Sequence, residues 1–180
     1  MPAESLARGP VTLHRWSTDD VDAMYRLVTE AQEWLRPWAT WAEGPYDRDR
    51  AADFVAGCAT SWASGEVYRY AITADGTLAG GCGLMRNGLP DALEIGYWLH
   101  PAHTGRGLVT IAAGLLVDEA FTVPGVTRVQ IRHDVANTAS AGVPRRLGFT
   151  DVGRHERPRE QWAAGEVGVD IVWELTRPSR

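Results

Sequence analysis

The run from Glu94 to Thr110, Glu-Ile-Gly-Tyr-Trp-Leu-His-Pro-Ala-His-Thr-Gly-Arg-Gly-Leu-Val-Thr, holds the residue types and spacing most able to do chemistry. An apolar strand leads into a short turn containing Pro101, Gly105 and Gly107, and an apolar helix opens directly after it. Glycines at that point leave backbone N–H groups uncovered where the positive end of the helix dipole begins. Such a site binds phosphate without any lysine. The same glycines also serve a plain tight turn, and spacing alone does not separate the two readings. His100 and His103 form His-Pro-Ala-His, which superficially resembles a metal pair. No further ligand stands at suitable spacing and Pro101 breaks helical geometry, so loop histidines and no metal are expected. All 18 basic residues are arginine. That excludes a Walker-type phosphate loop and Schiff-base catalysis, both of which need lysine.

The elements that must position this run can be read around it. Val11 to Trp16 alternates as a strand; Ser17 and Thr18 then cap a helix with Val21, Met24, Leu27 and Val28 at helical spacing. An aromatic, proline-broken segment over 33–46 precedes a second helix from about Arg48 to Ser64. Val67–Thr73 and Leu78–Met85, joined by Ala-Asp-Gly, read as a hairpin, and Leu93–Leu99 as the next strand. The helix after the glycine turn carries Leu108, Ile111, Ala112, Leu115, Leu116 and Ala120. Arg128–His133 is a further strand, followed by a short helix over about Thr138–Leu147 that Asn137 caps and Gly148-Phe149 ends. Two strands near 149–156 and 167–175 complete the order. With no repeat and no linker, the expectation is one α/β (α+β) domain over 1–180.

Composition narrows the class. A chain of 180 residues with 44% apolar content supports one sizeable core. No stretch of 18 apolar residues exists to span a membrane, and the first residues lack the order of a signal peptide. Cys58 and Cys82 are not paired in a ligand-like motif and fit a reducing, cytoplasmic setting. The net charge of −5 argues against a nucleic-acid surface or an anionic membrane face, and is compatible with a cationic substrate.

This order of elements, together with the 94–110 run and Asn137-Thr-Ala-Ser140-Ala-Gly-Val-Pro-Arg-Arg-Leu-Gly-Phe149, resembles the GNAT acyltransferase superfamily. Glu94-Ile-Gly-Tyr-Trp-Leu and Leu35-Arg-Pro-Trp38 are most similar to its RimJ/RimL-type N-acetyltransferases. The resemblance covers nearly the whole chain. It implies a mixed, mostly antiparallel sheet of about six to seven strands flanked by about four helices. It also implies acetyl-CoA as acyl donor, transfer to a protein N-terminal or small-molecule amine, and allows a homodimer. Gly105, Arg106, Gly107, Leu108 and Val109 would give backbone N–H groups to the pyrophosphate, with Thr104 and Thr110 flanking them. Thr104 stands where the family usually has Gln or Arg, and Val109 where it usually has Ala or Gly.

Acyl transfer from a thioester to an amine requires a base, a polarised carbonyl, a leaving thiolate and a binding site that holds both reactants. Glu94, opening the strand that leads to the turn, is the candidate base, acting through a water; its alternative is a structural carboxylate. Backbone N–H groups near Tyr97, Trp98 and Leu99 would polarise the carbonyl and pair with the pantetheine arm, since the family splays its sheet there. Many family members place a tyrosine four residues before the glycine of Gly-Phe. Pro144 stands there and closes that route, so Ser140, kept from the RimJ/RimL pattern, is the candidate acid. Asn137 would reach the pantetheine, and Arg145 or Arg146 the 3′-phosphate or adenine end. Trp34, Trp38 and Trp41, with Tyr97, would wall the acceptor pocket. Two competing donor-site readings remain: a longer acyl donor such as succinyl-CoA, and a non-catalytic acyl-CoA sensor. A Rossmann-type dinucleotide site fails because Thr110 replaces the third glycine.

Overall fold

The structure, a computed structural model, describes residues 1–177. Eight strands form one sheet, β1 (Ser5–Arg8), β2 (Val11–Arg15), β3 (Val67–Ala74), β4 (Thr77–Arg86), β5 (Ala92–Leu99), β6 (Arg128–Asp134), β7 (Thr150–Glu156) and β8 (Val169–Thr176). Their spatial order is β1-β2-β3-β4-β5-β6-β8-β7, and every pairing is antiparallel except β5 with β6. Among the described residues four α-helices accompany the sheet, α1 (Val21–Leu35), α2 (Arg48–Ser64), α3 (Leu108–Ala120) and α4 (Gly142–Arg146).

The helices form where apolar spacing and capping agree. The Ser17 N–H donates to Asp20 Oδ2 at 2.8 Å, closing the turn that launches α1. Asp47 caps α2 by accepting from the Arg50 N–H at 2.9 Å. α1 buries the stripe Val21, Met24, Val28 and Ala31; with Val55 and Cys58 of α2, Met24 and Val28 join the core on one sheet face around Ala71. α3 is apolar nearly all round, which suits a helix pressed into the core. Its Leu108, Ala112, Leu115 and Leu116 pack on Leu13, Ile72, Leu84, Leu93 and Ile95 of the other face. The hairpin between β3 and β4 turns on Asp75-Gly76, both at positive φ (51° and 80°), the handedness that matches strand twist.

Two expectations about elements need correcting. One strand more is present than the six to seven expected, because β1 adds to the edge of β2, with Ser5 opposite His14. Its Ser-Leu-Ala-Arg sequence is largely exposed and carries no alternation to signal a strand. The helix expected over 138–147 is only Gly142–Arg146, and Ala141, not Asn137, stands at its N-cap. Residues 137–141 form turns instead: the Ser140 N–H reaches the Asn137 carbonyl at 3.2 Å and Asn137 Oδ1 at 3.3 Å. Pro144 then falls in the first turn of α4, where its missing N–H has no intrahelical partner to lose.

The fully buried Leu116 side chain holds α3, and through it the glycine turn, against the sheet. Leu116→Ala should destabilise the fold by about 2–5 kcal/mol. Urea denaturation followed by circular dichroism measures it, and a loss under about 1 kcal/mol would show that α3 is anchored elsewhere.

Candidate active site

β5 runs beside β6 only from Ala92 to Ile95, opposite Arg128 to Ile131. Beyond Ile95 it stays paired with β4 through Leu99, while β6 continues on β8 to Asp134, so the two strands part. The His100 N–H still donates to the Ala79 carbonyl at 2.8 Å on the β4 side. Strand alternation therefore turns the Tyr97 and Leu99 N–H groups to the opposite side, into the opening.

Two cavities meet in that opening and share Leu35, Trp38, Tyr97, Trp98, Asn137 and Ser140 as walls. The larger, about 790 Å³, extends along Leu99 to Thr104, Gly105, Gly107, Leu108, Val109 and Thr110. There Pro101–His103 forms one 3-10 turn, and Gly105 (φ 74°) and Gly107 (φ 73°) take left-handed backbone angles that glycine adopts without strain. The N–H groups from Gly105 to Thr110 donate to nothing among the described residues. A row of free donors at the start of a 13-residue helix is an arrangement suited to an anion. Burial, then His100 and Arg106, hold the His103 imidazole below its ordinary value, so this cavity wall adds no charge from histidine at neutral pH.

The smaller cavity, about 580 Å³, lies on the α1–α2 side. Aromatic side chains line much of it, and Trp41 packs on Trp98 with ring centroids 5.5 Å apart. Tyr97 crosses the opening, its hydroxyl donating to the Ser140 carbonyl at 3.1 Å. Burial pushes the Tyr97 phenol far above its ordinary value, so it stays a neutral strut. Asn137 and Ser140 both line this junction, and the Asn137 amide N–H₂ has no hydrogen-bond partner among the described residues.

Residues 11–150 match the family model described as acetyltransferase (GNAT) domain. The chain belongs to the GNAT acetyltransferase family. A Bacillus subtilis (strain 168) protein, YdaF, provisionally named a ribosomal N-acetyltransferase, is 27% identical over 146 residues, covering 80% of each chain. The ribosomal-protein-serine acetyltransferase of Escherichia coli (strain K12) is 26% identical over 138 residues, 76% of this chain and 77% of that one. Among solved structures, RimL, the ribosomal L7/L12 alpha-N-protein acetyltransferase in complex with coenzyme A, superposes with a TM-score of 0.87 at 22% identity. The match covers 96% of this chain and 98% of that one. The GNAT fold accounts for the parted strands and the glycine turn as one unit.

Several residues singled out by sequence stand elsewhere within this GNAT framework. Glu94 lines neither cavity: its carboxylate lies 3.2 Å from Arg132 Nε, and Arg132 is the residue that reaches the smaller cavity. Burial raises the Glu94 carboxyl above the usual carboxylate range, with the Arg132 guanidinium offsetting part of the rise. Arg145 is turned away from the larger cavity and lies over Trp173, 5.5 Å from the ring centroid; its neighbour Arg146 lines the cavity instead. The Arg106 side chain points outward to Asp75 at 3.2 Å, leaving only its backbone in the turn. Trp41 lines the smaller cavity, Trp38 both, and Trp34 the larger one, so the three tryptophans are divided between the sites. Arg132, Asp134 and Glu166 line the smaller cavity and were not found from sequence, since no motif joins them.

Removing the strut tests how much it holds the opening together. Tyr97→Phe should cost roughly 0.5–1.5 kcal/mol of stability, the net worth of one neutral hydrogen bond. Chemical denaturation reads this directly, and unchanged stability would mean that the β5–Ser140 contact is incidental.

Proposed function

We propose that this GNAT protein transfers an acetyl group from acetyl-CoA to a primary amine, with a protein N-terminal α-amine as acceptor, in a ternary complex. One observation carries the reading: the free N–H row from Gly105 to Thr110 is joined by a continuous cavity to the unpaired edge of β5 and then to a second, aromatic cavity. Donor and acceptor thus have separate entrances and one meeting point. The names of the ribosomal-protein relatives support the protein acceptor. The two buried free cysteines are consistent with a reducing, cytoplasmic setting.

The thioester supplies an activated carbonyl and a thiolate leaving group. The chain's part is to hold and polarise. The Gly105–Thr110 N–H groups take the diphosphate, Arg146 stands by the phosphorylated nucleoside end, and Asn137 offers its amide to the pantetheine arm. The outward Tyr97 and Leu99 N–H groups pair with that arm and polarise the carbonyl oxygen. As the amine nitrogen bonds to the carbonyl carbon, the C–S bond breaks. The amine's proton passes by a solvent relay beside Arg132 to Glu94, whose raised proton affinity suits an acceptor of that kind. The Ser140 hydroxyl faces both cavities and donates to the departing thiolate. A thiolate of pKa about 8.5 leaves tolerably well unprotonated, so this last contribution is modest. An α-amine, with a pKa of about 7.7–8.0, asks less of the base than a lysine at about 10.4.

Isothermal calorimetry should show one CoA site per chain, and Gly107→Ala should weaken it about tenfold, since an alanine at positive φ costs about 1–2 kcal/mol. No CoA binding by the parent protein would overturn the reading; CoA binding with no turnover on any amine would leave a sensor. The pH profile tests Glu94. Above about pH 8 an α-amine is already mostly neutral, so no proton has to be removed before it attacks. The rate deficit of Glu94→Gln should therefore grow as pH falls below that value. A deficit that does not change with pH would remove Glu94 as proton acceptor.

A further inference from the structure

Glu166 sits on the loop between β7 and β8 and lines the smaller cavity, with 12% of its side chain exposed. Its carboxylate is held from one side only. Oε2 accepts from Arg157 Nη1 at 3.1 Å and from the Ala163 N–H at 2.8 Å. Oε1 accepts from no donor among the described residues.

The loop itself is pinned at both ends. The Gly165 N–H donates to the Pro37 carbonyl at 2.8 Å, next to the aromatic segment, and a Cβ at 165 would stand 2.8 Å from Pro37. On the sheet side, Arg157 donates from Nε to Asp170 at 2.9 Å and from Nη2 to Asp134 Oδ2 at 3.0 Å. Asp134 also accepts from the Val167 and Gly168 N–H groups, directly after Glu166, and from the Ala136 N–H. Both Asp134 oxygens are therefore taken, and one guanidinium faces three carboxylates. Of the network's carboxylates that line the cavity, Glu166 is the one with an oxygen, Oε1, that accepts from no donor among the described residues. Arg50, Arg69 and Arg132 line the same cavity, and of these Arg132 is turned to Glu94, 3.2 Å from its carboxylate behind the cavity wall.

We propose that Glu166 receives the acceptor's ammonium group in the smaller cavity and so selects a cationic primary amine, with Arg157 as the positioning residue that fixes it. The proposal rests on the assignment of this cavity to the acceptor. Glu166 acts at binding; Glu94 remains the proton acceptor of the later step. A charge-assisted hydrogen bond in a partly buried site makes the amine worth roughly 10- to 100-fold in affinity.

The test titrates the CoA-saturated protein by calorimetry with a tetrapeptide bearing a free N-terminal amine and with the same peptide lacking that amine. The parent should bind the amine peptide roughly 10- to 100-fold more tightly. Glu166→Gln should abolish this preference while binding CoA, and the peptide without the amine, as the parent does. Glu166→Asp keeps the charge but withdraws it by one methylene, and should retain part of the preference; it also serves if the glutamine variant does not fold. An undiminished preference in either variant, or none in the parent, would overturn the proposal. Failure of the parent to bind CoA is read in a separate titration and would count against the donor assignment instead.

Discussion

The parting of β5 from β6 after Ile95 and Ile131 is the constraint on which the rest of the site depends. Parallel strands normally continue their ladder until one of them ends, because an unpaired backbone donor loses a hydrogen bond worth about 1 kcal/mol net. Here neither strand ends. β5 keeps its antiparallel partner β4 as far as Leu99, and β6 keeps β8 as far as Asp134. Each strand is thus held by its outer neighbour while the inner ladder is given up. The donors left over, on Tyr97 and Leu99, face a cavity and are available to a ligand with peptide-like groups.

What keeps the wedge open is polar and local. Tyr97 spans it to the Ser140 carbonyl, and Asp134 at the end of β6 draws in the N–H groups of Ala136, Val167 and Gly168. Asp134 is fully buried, and several N–H donors with the Arg157 guanidinium hold its carboxyl below the usual range despite that burial. A carboxylate with every oxygen occupied stays in place. It sets the turn that carries Asn137 and Ser140 and, from its other oxygen, the loop that carries Glu166. One buried side chain therefore fixes residues on the walls of both cavities.

The legible and illegible parts of the chain divide along these lines. α1, α3 and the β3–β4 hairpin announce themselves because period, cap and turn chemistry are encoded within a few residues of each other. The glycine turn was readable for the same reason: left-handed residues at 105 and 107, a strand before and an apolar helix after make a local pattern. β1 was not, since Ser5–Arg8 is exposed and owes its extension to pairing with β2. The 138–147 segment misled because Asn137 reads as a cap and Gly148-Phe149 as a stop, yet Asn137 folds back onto the Ser140 N–H and delays the helix to Gly142. Glu94 was correctly placed on its strand but not relative to the cavities. Its distance from them is set by Arg132, a residue of another strand. Arg157, Asp134 and Glu166 meet across separations of 9 to 23 residues, which no periodicity reports.

A protein without lysine must divide its electrostatics differently from one that meets phosphate with ammonium groups. Arginine is broad and forked, and here Arg106, Arg132 and Arg157 each have a carboxylate partner. The glycine turn offers backbone N–H donors, which bring partial charge without a counter-ion to satisfy, and Arg146 is the arginine on the wall of that cavity. The other end is built from side chains: Arg157 faces the carboxylates of Asp134, Glu166 and Asp170, and Arg50, Arg69 and Arg132 line the smaller cavity beside Asp134 and Glu166. On the proposed assignment, the anionic donor enters along the backbone donors of the glycine turn, the acceptor's ammonium goes to Glu166, and the two meet at a neutral junction of Tyr97, Asn137 and Ser140. Keeping that junction neutral matters for the chemistry. A fixed cation there would stabilise the thiolate but repel the incoming ammonium, and a fixed anion would do the reverse.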